Sequence, residues 1–148
     1  MVFTKLAVLL CCVMLPILSG FAQSQESKMT CPVTLPNGNT PPGELRNTGH
    51  HGNGFLWTMF TPGGRMVSQS QRDGSRRIVF RWWRNIEGDL TVTAQRLDVP
   101  TLSIHGRIES SRGAPFQASV IDFPTSGCWE IAARIGNNSL RFVVELVE

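Results

Sequence analysis

The sequence predicts an all-β domain, a sandwich or barrel of about eight short strands. Three observations carry that expectation. Apolar and polar residues alternate with period two through much of the chain after residue 55, as strands with one buried face require. Clusters of Gly, Pro, Asn and Asp interrupt the alternation at roughly 8–12-residue intervals, the spacing of sandwiches and barrels. No segment beyond the N-terminal apolar run keeps a helical apolar period for three turns.

The chain opens MVFTKLAVLLCCVMLPILSGFAQSQ. Lys5 gives a short positive segment, and residues 6–18 are an apolar run broken by Pro16. Gly20-Phe21-Ala22 then puts small residues at the −3 and −1 positions of a cleavage site after Ala22. Residues 1–22 therefore read as a signal peptide, and the product as secreted or periplasmic. The run falls short of the roughly 20 residues of a membrane span, and an uncleaved anchor is the alternative. Cys11 and Cys12 sit inside the run instead of just after it, which does not suit lipidation. No second run of membrane length follows, so no transmembrane segment is expected in the mature chain. Residues 23–30 (QSQESKMT) read as a flexible N-terminus, and residues 31–148 have the size of one domain. Without Lys5, the remaining 13 of 14 Lys and Arg face 11 Asp and Glu; a charge of +2 does not argue for nucleic acid as a partner.

Residues 31–54 (CPVTLPNGNTPPGELRNTGHHGNG) are dense in Pro, Gly and Asn. They read as a long loop whose first residues can pair at a sheet edge, where Pro32 and Pro36 are tolerated. Residues 55–60 (FLWTMF) form a first strand, ended by Pro62-Gly63-Gly64. Residues 65–70 are a second, closed by Asp73-Gly74, a strong hairpin cue. Residues 77–83 are a third, with Ile78, Phe80 and Trp82 inward and Arg77, Val79, Arg81 and Trp83 outward. Residues 90–97 alternate, and residues 102–108 do so with Leu102, Ile104 and Ile108 inward. Residues 116–123 follow Gly113-Ala114-Pro115, and residues 127–135 and 140–147 make a final hairpin through Gly136-Asn137-Asn138.

That last hairpin, FPTSGCWEIAARIGNNSLRFVVELV, resembles the one closing many exported bacterial immunoglobulin-like domains. HGNGFLWTMF, RWWRNIEGDLTVTAQRLD and PFQASVIDFPTSGCWEIAARIG are together similar to an uncharacterised family of secreted bacterial proteins ending in a Gly-Cys-Trp-Glu hairpin. The likeness spans most of residues 31–147. It implies a single immunoglobulin-like β-sandwich and an exported protein, and it implies no activity. Tyr is absent, so the tyrosine corner of antibody-type domains cannot be present.

Cys31 and Cys128 remain after signal-peptide removal, and one disulfide is the simplest expectation for an even pair in an exported chain. Two free thiols or an intermolecular bridge are the alternatives. In residues 127–135, Trp129, Ile131, Ala133 and Ile135 share the inward phase, so Cys128, Glu130 and Arg134 face outward. Cys128 is thus expected to tie Cys31 onto the outside or end of the sandwich, not to bridge the sheets.

The stretch RRIVFRWWRN, residues 76–85, supplies the candidate binding surface: Arg81, Trp83 and Arg84. Arginine stacks on indoles and presents a planar fork to carboxylate, sulfate or phosphate, which points to an acidic glycan, lipopolysaccharide or a protein of the cell envelope or extracellular space. The alternative is that Trp83 caps the core while the arginines snorkel or pair with Glu87, Asp89 and Asp98. His50 and His51, with His105 and Met59, raise a second class of function, a periplasmic copper carrier, since some such carriers are immunoglobulin-like sandwiches and soft ligands suit Cu(I). Against it, adjacent histidines on a strand point to opposite faces, and two exposed loop histidines are the plainer expectation. Catalytic motifs are missing: no Gly-x-Ser-x-Gly, no His-Glu-x-x-His and no phosphate loop. The expectation is a binding or structural module with no catalytic residue, no bound metal and no cofactor.

Overall fold

The computed structural model describes residues 30–99, 103–109 and 116–148. The expected signal peptide and flexible N-terminus up to residue 29, Leu102 and the expected 113–115 turn lie outside the described residues. Among the described residues eleven strands form: β1 (His50–Gly52), β2 (Leu56–Met59), β3 (Arg65–Val67), β4 (Gln69–Ser70), β5 (Arg76–Arg84), β6 (Leu90–Arg96), β7 (Ile104–His105), β8 (Arg107–Glu109), β9 (Phe116–Phe123), β10 (Gly127–Ile135) and β11 (Asn138–Val147). One sheet runs β1-β2-β5-β9-β8, with β4 also on β5; the other runs β3-β11-β10-β6-β7. Two layers packed face to face make an all-β sandwich, not a barrel. With β2, β5, β9 and β8 as strands A, B, E and D, and β6, β10 and β11 as C, F and G, the order is that of an immunoglobulin-type sandwich. No helix among the described residues is long and apolar enough to cross a membrane.

Eleven strands replace the expected eight for three reasons. The 65–70 stretch pairs first with β11 as β3, then crosses at Ser68 to the other sheet and pairs with β5 as β4. The 102–108 stretch does the same at Gly106, between β7 on β6 and β8 on β9. A Cβ on Gly106 would sit 3.2 Å from both Ile121 Cγ1 and Val92 Cβ, so the crossing threads the two layers tightly. The third addition is β1, which forms inside the segment expected to be loop.

The expected phases hold. Ile78, Phe80 and Trp82 are buried, as are Trp129, Ile131, Ala133 and Ile135. Each large side chain so buried contributes about 1.5–3 kcal/mol. Phe142 centres the aromatic part of the core, stacked on Phe60 with centroids 4.7 Å apart and edge-on to Phe80 at 5.8 Å. The indole N–H of Trp82 donates to Ser119 Oγ at 2.9 Å, which satisfies the one polar atom of a fully buried side chain.

Cys31 and Cys128 form a disulfide, Cα atoms 5.4 Å apart. Cys128 faces outward on β10 and is buried by the segment the bridge holds down. That segment pairs with β11 through one residue, on the side that β3 takes up farther along at Glu145–Val147: Thr34 N donates to Val143 O and Val143 N to Thr34 Oγ1, both at 2.8 Å. The clip therefore lies outside the sandwich.

Candidate binding site

Register assembles the site. In the first sheet, Gly52 stands opposite Trp57, Trp57 opposite Trp83, and Trp83 opposite Phe116, so one cross-strand row on the outer face carries three aromatic rings. The row is closely packed where it meets β1: a Cβ on Gly52 would fall 2.0 Å from Trp57 Cδ1, so the indole lies directly on the glycine backbone.

Residues 37–49 form a strap over this end of the outer face. Asn37 pins it to β1, accepting from Gly52 N at 3.1 Å and donating to Gly52 O at 2.8 Å, while Gly38 N donates to His50 O at 2.9 Å. Both indoles are fixed by the strap through their N–H groups. Trp57 donates to Asn39 Oδ1 and Trp83 to Glu44 Oε1, each at 3.2 Å. Trp83 is further held edge-on between His50, at 5.6 Å, and Phe116, at 5.5 Å. Trp57 is buried and Trp83 half-buried.

Between strap and sheet lies a slot of about 210 Å³ lined by Pro41, Pro42, Trp57, Trp83, Arg84 and Asn85. Its walls are two indoles and two prolines. Arg84 stands opposite Leu56 at the end of β5, where alternation would turn it inward; instead its guanidinium donates to Gly88 O and borders the slot. Asn85 donates through Nδ2 to Gly54 O at 3.0 Å, and its Oδ1 has no hydrogen-bond partner among the described residues. Glu44 belongs to a neighbouring open cleft with Arg46 and does not line the slot.

Of the three residues expected to form the surface, Trp83 and Arg84 meet at the slot. Arg81 is exposed on the same outer face, two residues along β5 from Trp83, but outside the slot. The alternative pairing of Arg81 and Arg84 with Glu87, Asp89 and Asp98 does not occur among the described residues. Asp98 is taken by Arg96 at 2.6 Å, and the carboxylates that serve β5 are Asp122, opposite Arg77 on β9, and Glu148, on Arg76, each also at 2.6 Å. Neither Arg81 nor Arg84 makes an ion pair among the described residues. The guanidinium partners hold Asp98 and Asp122 below the usual carboxylate range. Glu130 likewise pairs with Arg141 on the neighbouring strand β11.

The two histidines of HHG are not exposed loop residues. Both are buried in β1 and, as alternation requires, point to opposite faces. His50 turns outward to Trp83, its Nδ1 3.3 Å from the Thr40 hydroxyl. His51 turns inward against Phe60 and Phe142, and burial holds its imidazole below the ordinary histidine range. His105 lies on β7 in the other sheet. Two side chains on opposite faces of one strand cannot share a metal ion, and no group of three His, Cys, Asp or Glu side chains placed to hold one occurs among the described residues.

Trp57, Pro41, Pro42 and Asn85 escaped the sequence reading. One signal for Trp57 was available: in FLWTMF both phases are apolar, Phe55, Trp57 and Met59 on one side and Leu56 and Phe60 on the other. An outer face so apolar implies a cover. No protein-family model, no curated protein and no solved structure matches this chain.

Proposed function

We propose that this protein is an exported, non-catalytic binding module whose recognition face is the outer side of the first sheet around Trp83, and that its ligand is an anionic glycan of the cell envelope or extracellular space. The observation that carries this reading is the strapped pair of indoles beside Arg84, a guanidinium without an acidic partner among the described residues. Apolar walls with a few placed polar groups are the usual make-up of a small-ligand site. The rings are fixed before any ligand arrives, so binding does not have to order them. Arg81, exposed on the same face, adds positive charge alongside.

Several groups that reactive chemistry would use are otherwise engaged. Cys31 and Cys128 are joined, Asp98 and Asp122 are held ionised by arginines, and Glu130 is paired. Export is supported by the N-terminal sequence pattern and by the disulfide, which persists in oxidising compartments. A panel of acidic glycans, lipopolysaccharide and cell-envelope extract, presented to the wild type and to Trp83→Ala and Arg84→Ala, tests the reading. Binding by the wild type that weakens in both variants, with unchanged far-UV circular dichroism, is expected. Equal binding by all three removes this face from consideration.

A further inference from the structure

We infer that the slot takes a single pyranose ring of a uronic acid, its C–H face against the indole of Trp83 and its carboxylate on the Arg84 guanidinium. The inference rests on the binding-module reading and narrows its ligand to one chemistry.

Size comes first. The slot encloses about 210 Å³, below the roughly 300–1,000 Å³ typical of sites that engulf a whole drug-sized ligand. It admits one ring of a chain that continues in solvent. The walls come second. A pyranose presents an apolar face of axial C–H groups and a rim of hydroxyls, which complements an aromatic wall with a polar mouth. Here the walls are Trp57, Trp83, Pro41 and Pro42, and the polar residues are Arg84 and Asn85. The indole N–H groups are already used on Asn39 and Glu44, so what the rings offer a ligand is their faces.

Charge decides between neutral and acidic sugars. Arg84 is anchored to a backbone carbonyl, Gly88 O, and no carboxylate lies within 4.0 Å of it among the described residues. A guanidinium anchored on one nitrogen keeps further N–H groups for a carboxylate, and such charge-assisted bonds are about twice as strong as neutral ones. Asn85 Oδ1 is a fixed acceptor for a sugar hydroxyl, because its amide nitrogen is committed to Gly54 O. A proline-rich peptide would suit the walls, but its prolines bring no anion to Arg84.

The experiment titrates the purified protein with a short oligogalacturonate and with the same oligosaccharide after reduction of its carboxyl groups, following the indole N–H resonances. Saturable shifts at Trp83 and Trp57 are expected with the acidic form. The reduced form should bind at least about tenfold more weakly, the loss expected for one charge-assisted bond. Arg84→Gln should erase that discrimination while leaving the fold intact. Equal affinity for the two sugars, or unchanged discrimination in Arg84→Gln, overturns the inference. If oligogalacturonate does nothing while another anionic glycan or a proline-rich peptide moves the same resonances, the uronic-acid assignment fails and the binding module survives. If no ligand depends on Trp83, both fall.

Discussion

Breaking the Cys31–Cys128 bridge should lower stability by several kcal/mol without displacing the strap. The bridge joins residues 97 apart in sequence. In the chain-entropy model a loop of that length restricts the unfolded ensemble by about 4.7 kcal/mol, and removal of native disulfides typically costs about 2–5 kcal/mol. With an m-value near 2 kcal/mol/M, the urea midpoint of Cys31→Ala/Cys128→Ala should fall by roughly 1–2.5 M. The local consequence is sharper. Thr34 contacts β11 through two hydrogen bonds to Val143 and is tethered beyond them by the bridge, so the Val143 amide should lose protection from hydrogen exchange. Gly38 and Gly52 amides should keep theirs, because their bonds to His50 O and Asn37 Oδ1 lie within the strap and β1. An unchanged midpoint would refute the entropic argument. Loss of protection at Gly38 and Gly52 in the folded double variant would refute the independence of strap and clip.

Two further outcomes follow from the packing. Gly52→Ala should push the Trp57 ring off β1, since the added Cβ would meet Cδ1 at 2.0 Å; destabilisation of about 1–3 kcal/mol and a red-shifted tryptophan emission are expected, and an unshifted spectrum with wild-type stability would show that the ring has room. Because burial lowers the pKa of His51, the unfolded chain binds more protons below about pH 6.5, so stability should decline as pH falls from there toward the lowered value. Chemical denaturation across that interval should show a flatter profile for His51→Phe, and equal slopes would contradict the assignment. The carboxylates do not confuse this window, since Asp98 and Asp122, both lowered, lose their contribution only as pH drops below the usual carboxylate range.

Much of the fold was legible because it is local. Alternation alone assigned Ile78, Phe80 and Trp82 to the core and Cys128 to the outside, since successive side chains on a strand must point to opposite faces. Asp73-Gly74 and Gly136-Asn137 announced their turns through backbone geometry that a few residues determine: Gly74 and Gly136 adopt positive φ, and Ile135 pairs directly with Asn138. The even cysteine pair gave the clip. Tertiary structure decided the rest. Whether 65–70 and 102–108 serve one sheet or two depends on what lies across from each half. So does the partner of an arginine: Glu87 and Asp89 are near Arg81 and Arg84 in sequence, yet Asp122, far along the chain, is the carboxylate that β9 brings opposite β5. Trp57 meets Trp83, and Pro41 lines the slot with both, because the pairing of β2 with β5 and the asparagine bonds of the strap put them there. Strand phase follows from nearest neighbours along the chain, whereas a binding slot is made of contacts between segments whose relative position only the closed sandwich fixes.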